Sequence, residues 1–127
     1  MAKQPFDLEE RLLDYSAEAI RLTQCLPRDQ AGTHIAGQLI RSATSPLANH
    51  GESQASESVN DFIHKFKLCL KELRETRRWI RLIQRVPLAK PPSQFDHLLL
   101  ETEELIRIFY TSIQTARDRK KKKDCQA

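Results

Sequence analysis

The side chains able to do chemistry in this sequence are scattered, and few stand at the spacing that chemistry needs. Asp61-x-x-His64 is half of the carboxylate and histidine arrangement with which helical bundles hold two metal ions, and no second pair completes it. His34, His50 and His97 sit on separate segments without ligand spacing. Cys25, Cys69 and Cys125 are odd in number and contain no CxxC, so neither a zinc site nor a disulfide framework is expected. Cys69 reads as inert packing and Cys125 as an exposed tail residue. Gly32, Gly37 and Gly51 form no phosphate-cradling loop, and no nucleophile elbow occurs. The expectation is a protein that is not an enzyme and needs no cofactor or metal.

What remains is charge. Lys67, Lys71, Arg74, Arg78, Arg81 and Arg85 fall on one narrow stripe when the chain is wound at about 100° per residue. Such a stripe is either a solvated face neutralised by acidic neighbours or a track for phosphates. No aromatic residue interleaves on that face to stack a base. A second polar line, Gln38, Arg41, Ser45, Asn49 and Glu52, projects within about 80°. It is either wet surface or a hydrogen-bonded seam, between subunits or around the proline at position 46.

Helices must position both lines. A chain of 127 residues suits one domain, and its 39% apolar content is enough for a core. Three glycines are too few for a meander of short strands. The first helix is expected from about Asp7, with Leu8, Leu12, Tyr15, Ala19, Leu22 and Leu26 on its apolar face, until Pro27 stops it. The second begins near residues 28–30 and carries Ile35, Leu39, Ala43 and Leu47, and Pro46 should kink or end it. Ser58 and Asp61 open the third, which runs to about Val86 before Pro87, Pro91 and Pro92. The fourth starts at Ser93 and lines Phe95, Leu98, Leu105, Phe109 and Ile113 on one side. The expected fold is all-α: an up-down-up-down four-helix bundle over residues 1–116, followed by a basic tail, 117–127, expected to be disordered.

Charge is unevenly placed along this plan. The formal excess is +4, and the tail holds all of it with six basic and two acidic side chains, so the body is neutral. Opposite the stripe, Phe62, Phe66, Cys69, Leu73, Ile80 and Ile83 make the core face of the third helix. Leu68, Trp79, Leu82 and Val86 extend the apolar arc round one flank, wider than one neighbour requires. That flank either widens the core or packs on another subunit, Trp being favoured at interfaces.

The run Gln38-Leu39-x-Arg41-x-Ala43-x-Ser45-x-x-x-Asn49-x-Gly51-Glu52 resembles the signature of the four-helix-bundle family encoded in intervening sequences of bacterial 23S ribosomal RNA genes. Phe6-Asp7-Leu8, Asp61-Phe62-Ile63 and Leu70-x-Glu72-Leu73-x-Glu75-Thr76 fit the same family, so the likeness spans about residues 6–116. His50, Ser53 and the position of Pro46 depart from its pattern. The resemblance implies a small helical subunit that assembles into a ring, often a pentamer. It also implies kinship with the RNA-binding accessory protein of diversity-generating retroelements. Arg41, Asn49 and Glu52 carry over only as structural or interface residues.

The combined expectation is a homo-oligomer that contacts nucleic acid, in particular structured RNA, through the stripe and the tail. A polypeptide partner docked on Trp79, Leu82 and the stripe is the alternative. No apolar run approaches the ~18 residues a membrane span needs, and the opening residues carry no signal sequence, so the cytoplasm is the expected location.

Overall fold

The computed structural model describes residues 7–126; Phe6 of the opening motif and residue 127 of the basic tail lie outside the described residues. Four helices follow one another: α1 (Leu8–Thr23), α2 (Gln30–Ser53), α3 (Val59–Arg85) and α4 (Asp96–Gln126), with a 3₁₀ turn at Pro92–Phe95 before the last. Each of the first three opens on a side-chain cap. Asp7 accepts the N–H of Glu10, Asp29 that of Gly32, and Ser58 that of Asp61, at 3.1, 2.8 and 3.0 Å. These caps satisfy donors that the first turn of a helix leaves without partners. At the other end of α1, Gln24, Cys25 and Leu26 close back on carbonyls three residues earlier, a tightened turn that carries the chain to Pro27.

The bundle is up-down. Its most extensive seam is α2 on α3, followed by α3 on α4 and α1 on α2, and α1 meets α4 along a shorter line. α3 is therefore covered from two directions, which is what its wide apolar arc requires. The apolar stripes meet in one core where Leu12, Ala19, Leu39, Leu73, Ile80, Leu98, Leu105 and Phe109 are sealed from solvent. Tyr15 is buried with them, its hydroxyl 2.6 Å from that of Thr102 across the α1–α4 line. Burial drives the phenol far above its ordinary pKa.

Pro46 does not end α2, which continues seven residues beyond it to Ser53. The lost backbone bond lies on the buried side of the helix, where packing holds the turn. There Thr76 donates to Ser42 Oγ at 2.8 Å, and the Cys69 thiol contacts the Pro46 carbonyl at 3.6 Å. α4 in turn passes the boundary at residue 116 and runs through the lysines to Gln126, where the sequence reading places a disordered tail. Arg, Lys and Gln are good helix formers, and neither glycine nor proline interrupts residues 117–126.

His50 is buried between Phe66 and Phe109, with its Nδ1 lacking any hydrogen-bond partner among the described residues. Burial lowers its pKa, against the pull of Glu9 and Asp7. The fold thus prefers the neutral ring. Its contribution to stability is complete above the unfolded value near 6.5 and is lost as pH falls through the folded value. His97 works in the opposite sense. It is exposed, and Glu18 at 2.7 Å raises its pKa, so its contribution is full below 6.5 and fades as pH rises. A His50→Leu variant is therefore expected to gain thermal stability relative to the parent as pH drops from 7 to 5. A difference in melting temperature that stays constant over that range would contradict the assignment.

Candidate nucleic-acid interface

α3 is an unbroken helix of 27 residues, about 40 Å long at 1.5 Å per residue. Lys67, Lys71, Arg74, Arg78, Arg81 and Arg85 are all exposed along it. Among the described residues none of the six forms an ion pair, although carboxylates are plentiful nearby. Several of those carboxylates are engaged elsewhere. Glu72 and Glu75 of α3 turn to the opposite flank and take Arg41 of α2, Glu101 takes Arg11 of α1 at 2.5 Å, and Glu104 takes Arg107 within α4. Four acids of α3 and α4 are thus held by cations off the stripe, while Glu103, Asp118 and Asp124 of α4 form no ion pair among the described residues.

Four of the six cations line a groove where α3 runs beside α4. Lys67, Lys71, Arg74 and Arg78 form one wall, and Tyr110, Gln114 and Arg117 of α4 form the other. Leu70 and Ile113, both buried, make the floor of a space of about 480 Å³. Arg81 and Arg85 continue the stripe beyond this groove. Below it, Lys120 Nζ donates to Asn60 Oδ1 at 2.6 Å, two turns from Lys67 on the same face of α3. Arg119 and Lys123 line a second depression there with Val59. The basic tail and the stripe thus share one side of the molecule.

Two contributors were not singled out from sequence: Tyr110, and Arg117 as a groove residue. Their signal is the i, i+4, i+7 spacing of Tyr110, Gln114 and Arg117, off the apolar stripe of α4. The lack of an aromatic residue on the cationic face holds for α3 alone, because the aromatic comes from the neighbouring helix.

The polar line of α2 finds its partners inside the chain. Arg41 bridges Gln38 at 3.1 Å, Glu72 at 3.1 Å and Glu75, and Glu52 reaches Lys65 of α3 at 2.8 Å. Asn49 bonds back to the carbonyl and hydroxyl of Ser45, beside Pro46. The pairs of Arg41 and Glu52 staple α2 to α3 on the side away from the groove. Trp79 joins that staple, donating its indole N–H to Glu75 at 3.0 Å and meeting His34 edge-on at 6.2 Å. Leu68 is half-buried, whereas Leu82 and Val86 are 40% and 54% exposed.

The remaining chemical candidates stay apart. His64 and Cys125 are exposed, and burial pushes the Cys69 thiol up to about 12, which keeps it from being a nucleophile. Among the described residues no three His, Cys, Asp or Glu side chains gather as a metal would need. Nor is any helix among them long and apolar enough to cross a membrane.

The family model described as 23S rRNA-intervening sequence protein matches residues 7–111. The chain belongs to that family. A solved relative is a protein of unknown function from the S23 ribosomal protein family of Bacteroides thetaiotaomicron, 27% identical, with a TM-score of 0.75. The match covers 83% of this chain and 96% of that one. No curated protein matches. For this member of the 23S rRNA-intervening sequence family, the matched span ends within α4, before Arg117 and the lysines. The groove therefore joins residues inside the matched span to Ile113, Gln114 and Arg117 beyond it.

Proposed function

We propose that the protein is a non-enzymatic, homo-oligomeric four-helix bundle of the cytoplasm that binds RNA through the α3–α4 groove and the basic end of α4. The observation that carries this reading is the unpaired stripe. Four of its cations converge with Arg117 on one groove while nearby carboxylates pair with other helices. Holding five like charges at one groove without acidic partners is unfavourable in the free protein, and a polyanion removes that penalty. The family description, which places these proteins in 23S rRNA intervening sequences, agrees with an RNA ligand. Assembly into a ring, such as the pentamer implied by resemblance, would set several grooves side by side and convert weak contacts into avidity.

The exposed Leu82 and Val86 favour a second reading, a scaffold that docks a polypeptide. Binding of a fluorescent structured RNA, followed by anisotropy from 50 to 200 mM salt, separates the two. Contact with about five phosphates predicts a fall in affinity of roughly two orders of magnitude across that range. No binding at 50 mM, or a co-purifying protein in place of nuclease-sensitive absorbance at 260 nm, would refute the RNA reading. Light scattering that shows a 14.7 kDa monomer at micromolar concentration would remove the assembly.

A further inference from the structure

We propose that the α3–α4 groove takes an unpaired nucleotide, with the ring of Tyr110 as the platform for its base, so that the ligand class is single-stranded nucleic acid. This inference rests on the RNA reading above and narrows it. The chain has two tyrosines, and the structure treats them oppositely. Tyr15 is sealed in the core with its hydroxyl bonded to Thr102, whereas Tyr110 is 51% exposed in the groove wall. Among the described residues Tyr110 stacks on no other ring and its hydroxyl has no hydrogen-bond partner. Beside the cluster of cations, that ring offers a flat apolar face and a polar tip to a partner.

The surroundings say what would cover it. Arg74 and Arg78 stand across the groove, Arg117 lies two turns along α4, and the floor is apolar. A nucleotide presents the complementary parts, a flat apolar base face for Tyr110 and phosphates for the arginines. Gln114, one turn from Tyr110, carries both a donor and an acceptor for a base edge. The space of about 480 Å³ falls in the range of ~300–1,000 Å³ in which proteins hold small organic groups. Bases within a duplex are already stacked on each other, so their faces are closed to Tyr110, and a duplex could use only the cationic rim. An acidic peptide would satisfy the cations and leave the ring uncovered.

The test compares Tyr110→Ala and Tyr110→Phe with the parent protein. The probes are a labelled 12-nucleotide single-stranded RNA, the same sequence as a duplex, and the same sequence as single-stranded DNA. Loss of one stacked base should weaken single-strand binding about 10- to 100-fold in Tyr110→Ala. Duplex binding should stay within twofold, the salt slope should not change because no charge is removed, and Tyr110→Phe should restore affinity. Equal loss for RNA and DNA supports a platform reading base and phosphate alone; a larger loss for RNA supports one that also positions the 2′-hydroxyl. Single-strand binding unchanged in Tyr110→Ala, while arginine variants of the groove lose affinity, would overturn the platform and leave the RNA reading standing. Equal loss on single strand and duplex, or failure of Tyr110→Phe to rescue, would also overturn it. Binding of poly-glutamate with no binding of any nucleic acid would overturn both readings.

Discussion

A variant with Lys71, Arg74 and Arg78 all changed to alanine is expected to bind single-stranded RNA roughly 10²- to 10³-fold more weakly at 50 mM salt. The same variant should lose only about 5- to 50-fold at 200 mM, because each neutralised phosphate contributes about 0.7 to the slope of log affinity against log salt. Three lost contacts therefore flatten that slope by about two. These side chains are exposed and unpaired within the described residues, so the fold should not suffer from their removal. The Arg81→Ala, Arg85→Ala double variant is the control. Its charges lie on the same stripe but outside the groove, where no Arg117 or Gln114 faces them, so its slope should fall by less than one. Equal slope changes per charge in the two variants would mean that the groove is irrelevant and the stripe acts as a diffuse field. An unchanged slope in the triple variant would remove α3 from binding altogether.

That contrast between stripe and groove marks where reading the sequence reaches its limit. Periodicity within one helix is a local property, and it sorted α3 into a core face, a cationic stripe and an apolar flank. The buried set of Phe66, Cys69, Leu73, Ile80 and Ile83 agrees with that sorting. What stands across from a stripe depends on the register between helices, which a single wheel does not contain. Hence the sequence alone gives Tyr110 no role, and it counts Arg117 with the tail.

The α2 line shows the same limit from the other side. Its composition leaves open a wet surface or a hydrogen-bonded seam, and the partners of Arg41 are Glu72 and Glu75 of the same chain. Those two acids belong to α3 itself. Once they are committed to α2, the net charge of a helix ceases to describe what its exposed face offers a ligand. Pro46 illustrates a third case, tertiary packing overriding a local breaker: its ring is buried against α3, and the helix continues to Ser53.

Composition alone treats three glycines alike, and the structure separates them by the sign of a single substitution. Gly32 lies in the first turn of α2, where its amide donates to the capping Asp29 at 2.8 Å. A Cβ there would stand 1.9 Å from the carbonyl oxygen of Pro27 and 2.8 Å from its carbon. Both atoms are backbone in the tight link between α1 and α2, so relief requires moving one helix against the other. At Gly37 and Gly51 a Cβ meets nothing within 4 Å. Gly37→Ala and Gly51→Ala should therefore each stabilise the protein by about 0.5–1 kcal/mol, from the helix preference of alanine and the reduced freedom of the unfolded chain. Gly32→Ala forgoes that gain and should destabilise by about 1–3 kcal/mol through overpacking. Urea denaturation of the three variants reads the comparison directly. If Gly32→Ala proves as stable as the other two, the link after Pro27 is not the close backbone approach described, and the packing angle of α1 on α2 must differ. If it alone falls, the position of α1 in the bundle is set by a contact that only a missing side chain permits.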